Sequence, residues 1–175
     1  MRSWYVLRCR GGIETTVRTT LVDRFGLECF VPMEKIRQRD RMGRFIWIQR
    51  CALTGYVFVR ANHDEYVSVT QTIPNVRPMV AQKQGLWTWV VVPNRDMESF
   101  IRVAGTKEEQ IAYLDPLKLD LHKGDRVRVI GGPFAGVEGL FMQVGCKHEK
   151  RVIIQLEGLI AVATAAIPAS LVEKL

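Results

Sequence analysis

The hydrophobic period changes within the first 26 residues, and that change constrains the fold more than any other feature of the chain. Trp4 to Cys9 is an aromatic and aliphatic run that stops at Gly11 and Gly12, so it reads as a buried strand and a turn. Ile13, Val17, Leu21 and Phe25 then recur every four residues, Glu14 stands four before Arg18, and Gly26 closes the segment. That pattern predicts an amphipathic helix with a glycine stop. A strand followed at once by a one-faced helix calls for a sheet covered by helices.

The same alternation continues. Strands are expected over Leu27 to Met33, Leu53 to Arg60, Val76 to Val80 and Trp87 to Val92, with a short helix near Asp64 to Thr72. A further helix runs from Asn94, as its cap, to Ala104, and Gly105 ends it. Gly105 to Leu121 has few apolar anchors and includes Lys107, Glu108, Glu109 and Asp115-Pro116, which suits a linker. Beyond it, Arg126 to Ile130, Gly139 to Val144, Arg151 to Leu156 and Ile160 to Ala163 are short β-rich runs broken by glycines. Closing such strands into a small barrel removes their edges. The expected architecture is α+β: an N-terminal α/β sandwich over residues 1–104, a linker over 105–121 and a small β-barrel over 122–175. A total of 175 residues accommodates one medium and one small domain.

Charge is unevenly placed. Residues 1–60 hold 12 Lys+Arg against 5 Asp+Glu, a net of +7, whereas residues 61–175 hold 13 of each. Solubility alone would be served by an even spread, so the asymmetry points to a polyanion-facing surface in the first third. Lys35, Arg37, Arg39 and Arg41 alternate and in an extended strand would share one face. Met42-Gly43 can supply a turn, with Arg44, Phe45, Trp47 and Arg50 on the returning strand. Such an arm brings cations to phosphates and rings to bases. The alternative is a solvated hairpin whose cations only keep its edges from pairing with other chains.

Cys9, Cys29, Cys51 and Cys146 form no CxxC pair and have no histidine at ligand spacing, so neither a zinc site nor a disulfide framework is expected. Free thiols fit a cytoplasmic location. MRSWYVLRCR is too interrupted by Arg8 and Arg10 for a signal peptide, and Leu159 to Ile167 is far short of a membrane span. No membrane association is expected. Gly11-Gly12 lacks the Lys-Ser/Thr of a phosphate loop. His63, His122 and His148 are scattered, and no HExxH or GxSxG occurs. Neither catalysis nor a cofactor or metal is expected. Trp4, Tyr5, Tyr56 and Phe58 lie on strands, where rings serve as core or form a depression for a partner helix.

SWYVLRCR at the start, FVPM at 30–33, TGYVFVR at 54–60 and KGDRVRVIGGPFAGVEG at 123–139 together resemble the NusG family of transcription elongation factors over nearly the whole chain. The last segment resembles the KOW motif. The SWY opening and Arg10 are similar to RfaH-like antiterminators, and GLIAVATAAIP resembles the capsule-locus regulators called UpxY. The resemblance implies an NGN-type domain and a KOW domain with an SH3-like barrel. It also implies a monomeric factor that docks on the clamp helices of RNA polymerase and suppresses pausing and termination, specialised for a long surface-polysaccharide operon.

By the same resemblance Trp4, Tyr5, Tyr56 and Phe58 would meet the clamp, while Thr70 and Thr72, interrupted here by Gln71, would touch the opposite lobe. Arg10 and Arg77 would contact the non-template DNA strand, with Arg18 and Arg24 as additions from the first helix. Phe134 would contact a small-subunit ribosomal protein or Rho. The rival expectation is a KOW-bearing RNA-binding or ribosome-associated protein. The Val, Ile and Gly content of the C-terminal half predicts strands there, although Ala161 to Ala166 is helix-tolerant.

Overall fold

A computed structural model of the protein describes residues 1–105, 111–114, 124–143, 150–156 and 160–175. Most of the expected linker, together with His122, Cys146 and His148, lies outside these residues. The chain divides into two compact units, Met1–Pro93 and Asn94–Leu175.

The first unit is built on strand β1 (Ser3–Cys9). It pairs antiparallel with β5 (Tyr56–Ala61) on one side. On the other it pairs with β6 (Val76–Pro78) near its end and β9 (Val91–Val92) near its start. A short β2 (Glu28–Phe30) lies outside β5. Residues opposite one another on neighbouring strands share a face, and faces alternate along a strand. Leu7, Val57 and Val59 therefore turn to one side, where they form a core with Val17 and Leu21 of helix α1 (Glu14–Phe25) and Tyr66 and Val69 of helix α2 (His63–Thr72). Trp4, Val6, Arg8, Tyr56, Phe58 and Arg60 turn to the other.

Both helices end as their sequences dictate. Gly26 adopts φ +61° and donates to the Val22 carbonyl, while Leu27 donates to Leu21. This closing pair of bonds needs a residue that tolerates the left-handed conformation. Helix α2 opens with a reciprocal cap: Asn62 Oδ1 accepts from the Glu65 amide at 2.9 Å, and Glu65 Oε2 accepts from the Asn62 amide at 2.8 Å.

Among the described residues, two hairpins pair only with themselves. β3 (Met33–Arg39) runs beside β4 (Phe45–Cys51), and β7 (Val80–Lys83) beside β8 (Leu86–Trp89). The expected strand over Leu27 to Met33 is thus two, split at Val31-Pro32, because proline has no amide to give to a ladder. The strands expected at 76–80 and 87–92 are likewise divided, with an arm between them that turns on Gln84 and Gly85 at φ +50° and +83°.

The second unit holds helix α3 (Asn94–Ala104). Its strands are β10 (Ala112–Leu114), β11 (Asp125–Val129), β12 (Glu138–Gln143), β13 (Lys150–Leu156), β14 (Ile160–Ala166) and β15 (Val172–Lys174). They join in the order β10-β14-β13-β12-β11-β15. Residues Ala161 to Ala166 are strand, not helix. Helix α3 buries Met97, Phe100 and Val103 and packs against β13 and β14. Gly139 lies so close to β13 that a Cβ there would stand 2.3 Å from the Ile153 carbonyl oxygen, which fixes glycine at that position. The register slips between Arg151 and Ile153, and there the buried Thr164 hydroxyl accepts from the Val152 amide at 3.1 Å. A side chain thus satisfies the amide that the bulge removes from the ladder.

Candidate nucleic-acid and partner-binding surfaces

The first unit carries the whole charge excess, 14 Lys+Arg against 7 Asp+Glu over residues 1–93. Its most cationic element is the β3–β4 arm. Lys35 stands opposite Gln49, Arg37 opposite Trp47 and Arg39 opposite Phe45, so three cations and two rings occupy one face. Arg37 and Arg39 hold their guanidinium carbons 4.2 and 4.9 Å from the Phe45 ring centroid. Phe45 and Trp47 remain 53% and 67% exposed. Exposed rings on a cationic face are what stacking of unpaired bases requires.

Arg41 does not continue the row, because the ladder ends at Arg39 and Arg41 lies in the turn. Asp40 builds that turn: its Oδ1 accepts from the Met42 amide at 2.8 Å and the Arg44 amide at 2.9 Å, and its Oδ2 from Arg44 Nε at 3.0 Å. These bonds, the Arg44 amide foremost, hold the Asp40 carboxyl below its ordinary range. Arg44 is correspondingly tied to a carboxylate. Arg50 belongs to the opposite face, where it pairs with Glu34 at 2.7 Å.

The four expected clamp residues do not converge. Trp4 and Phe58 share the face away from α1 and α2 but are 3% and 0% exposed. Tyr56, half-buried on the same face, lies beneath Arg8, whose guanidinium carbon is 4.4 Å from the ring centroid. Tyr5 points to the other face and stacks on Tyr66 with centroids 4.3 Å apart. Adjacent residues on one strand must face opposite ways, so sequence already held that signal.

Thr70 spends its hydroxyl on the Val67 carbonyl at 2.9 Å, and Thr72 is exposed at the end of α2. Arg10 follows β1 directly, and Arg77 lies on β6; both are exposed. Arg18 and Arg24 are exposed on α1. Phe134, in the turn between β11 and β12, is 3% exposed. Within that second unit, Arg102 donates to the neighbouring Ala135 carbonyl and Arg95 pairs with Glu138.

Sequence reasoning missed Arg8, which register sets opposite both Tyr56 and Arg77. It also missed the β7–β8 arm, where Leu86 and Trp87 are 71% and 69% exposed; the Gln84-Gly85 turn was its only signal. Among the described residues no group of three or more His, Cys, Asp or Glu could hold a metal, and no helix is long and apolar enough to cross a membrane. Cys9, Cys29 and Cys51 are free thiols, and burial pushes Cys9 and Cys29 up to about 11.

Residues 2–101 match the family described as "Transcription termination factor nusG". The chain is 27% identical over 167 residues to the transcription termination/antitermination protein NusG of Neisseria meningitidis serogroup B, covering 90% of each chain. It is 24% identical over 173 residues to the protein of the same name from Deinococcus radiodurans, covering 89% of this chain and 90% of that one. The solved structure titled "Domain interaction in Thermotoga maritima NusG" is 25% identical with a TM-score of 0.47, covering 100% of this chain and 98% of that one. The match to the family extends over more than half of the chain: it belongs to the NusG family of transcription termination/antitermination factors.

Proposed function

We propose that this protein is an elongation and antitermination factor that binds the clamp helices of RNA polymerase and the exposed non-template DNA strand. In this reading the β3–β4 arm carries the nucleic-acid contact, assisted by Arg10, Arg18, Arg24 and Arg77. The sheet face bearing Tyr56 meets the clamp, and Thr72 reaches the opposite lobe. Residues 122–175 act as a KOW-type SH3-like barrel with a protein partner, a ribosomal protein or Rho, engaged through the loop that carries Phe134. The likeness to RfaH and UpxY sequences favours service to a surface-polysaccharide operon, with 1–104, 105–121 and 122–175 as polymerase-binding domain, linker and KOW domain of a cytoplasmic monomer.

The observation that carries the reading is the arm: Arg37 and Arg39 against Phe45, with Trp47 exposed beside them. Capture of core RNA polymerase by the purified protein tests it, with Tyr56→Ala as the weakened variant. Phe58→Ala is unsuitable, since emptying a fully buried ring site costs about 3–5 kcal/mol and tests folding instead. Failure of the unaltered protein to capture polymerase, with retained RNA binding, would favour the KOW-bearing RNA-binding or ribosome-associated alternative.

A further inference from the structure

We infer that the β3–β4 arm has a second working face, an isoleucine strip that lies on an apolar protein surface while the cationic face holds nucleic acid. Alternation along the ladder puts Ile36, Ile48, Gln38 and Ile46 on the face opposite Arg37, Arg39, Phe45 and Trp47. Ile36 stands directly across from Ile48, and Gln38 from Ile46. Ile46 is 41% exposed, and Ile36 and Ile48 are half-buried. The charged ladder residues of that face, Glu34 and Arg50, are paired with each other at 2.7 Å. One ribbon thus has a charged side and a neutral, apolar side.

Charge, area and thickness together specify what covers the strip. A polyanion finds no unspent cation on this face, since Arg50 already answers Glu34. A second copy of the chain gains too little: three isoleucines remove at most roughly 400 Å² from water, against about 800 Å² per partner in a stable dimer. A strip of that size adds to a contact held elsewhere. Layers pack only about 10 Å apart across a sheet, so the surface beneath the strip lies immediately beside whatever the cations hold. The occupant that fits is a neutral, apolar patch on a protein that itself presents the nucleic acid, which in the reading proposed above is RNA polymerase. The inference rests on that reading and adds to the sheet-face contact a separate one on the arm. Coverage also steadies the arm. Among the described residues its strands pair only with each other, and a lone two-stranded hairpin is marginal in water.

Ile46→Thr and the triple variant Ile36→Thr, Ile46→Thr, Ile48→Thr test it, because threonine keeps the β-branched shape that suits a strand and removes the apolar end. Capture of core RNA polymerase should weaken severalfold in Ile46→Thr and tenfold or more in the triple variant, whereas Ile46→Val should capture as the unaltered protein does. Binding of a free single-stranded DNA of mixed sequence, its salt slope and the melting temperature should all stay unchanged in Ile46→Thr.

Unchanged capture in both variants would overturn the second face. So would DNA binding that weakens in step with capture, which would make the strip a prop of the arm or a contact for bases. Self-association of the unaltered protein in sedimentation, lost in Ile46→Thr, would overturn it in favour of a second copy. Tyr56→Ala separates the two readings: if that variant alone weakens capture, the proposed function stands and the strip fails. If the unaltered protein captures no polymerase, both fail.

Discussion

Glu14 and Gly55, 41 residues apart, are joined by a 2.6 Å hydrogen bond from the glycine amide to carboxylate Oε1. The other oxygen accepts from the Gly12 amide at 2.8 Å, so one buried carboxylate ties the turn after β1 to the turn before β5. Glu14→Ala leaves the buried Gly55 amide unpaired and should cost about 1–3 kcal/mol. Chemical denaturation measures that loss, and a change below a few tenths would contradict the role.

Tyr66 is fully buried, and its hydroxyl donates to the Val6 carbonyl at 2.8 Å. Burial pushes the phenol above its usual range. The carbonyl also accepts from the Met79 amide at 2.9 Å, so Tyr66→Phe leaves no orphaned acceptor. The expected loss is therefore only about 0.5–1.5 kcal/mol, with the Tyr5 stack retained. A larger loss in thermal unfolding would mean that the hydroxyl does more than this single bond.

Glu65 receives Arg2 Nη2 at 2.7 Å and the Asn62 amide at 2.8 Å, and these bonds, Arg2 first, lower its pKa. The folded carboxyl therefore binds its proton less readily than the unfolded one. Its contribution to stability is present above the unfolded value of about 4.3 and is lost as pH falls through the lowered folded value. The gap in melting temperature between the unaltered protein and Glu65→Gln should be steady near neutrality and close in acid. A gap that widens on acidification would refute the assignment.

On the arm, Lys35, Arg37 and Arg39 offer three phosphate contacts. Their loss should reduce the salt slope for single-stranded DNA by about 2, whereas Trp47→Ala should lower affinity and leave the slope alone. Salt titrations of the two variants separate charge from stacking. All four side chains are exposed, so melting temperatures should hardly move.

Phe134 is 3% exposed, and Phe134→Ala should destabilise the second unit by about 3 kcal/mol. Its melting should be followed before any lost partner binding is ascribed to a missing contact. A variant as stable as the unaltered protein would mean that the ring is surplus to the core.

Local order was legible where a single period or cap governed it. The helix stop at Gly26, the helix after Asn62 and the cationic arm could all be read from spacing. The end of the arm could not be read from alternation, because Arg41 keeps the period while Asp40 and Arg44 have already closed the turn. Asp40 with Gly43 was the overlooked sign. Cross-strand neighbours were beyond reach for a different reason. Arg8 and Arg77 are 69 positions apart in the sequence, and only register makes them adjacent. The burial of Phe58 and Phe134 belongs to tertiary packing, which no local pattern records.

The four tryptophans divide evenly by environment. Trp4 is buried and Trp89 packs its edge against Tyr5 and Tyr66, while Trp47 and Trp87 stand in water, one on each arm. The protein thus carries two kinds of intrinsic optical reporter without any label. Unfolding should redden the emission of the sheltered pair, whereas a ligand on either arm should quench that arm's exposed tryptophan and leave the sheltered pair unchanged. A single fluorescence titration can then tell occupancy from denaturation, and Trp47→Phe against Trp87→Phe reveals which arm the ligand has reached.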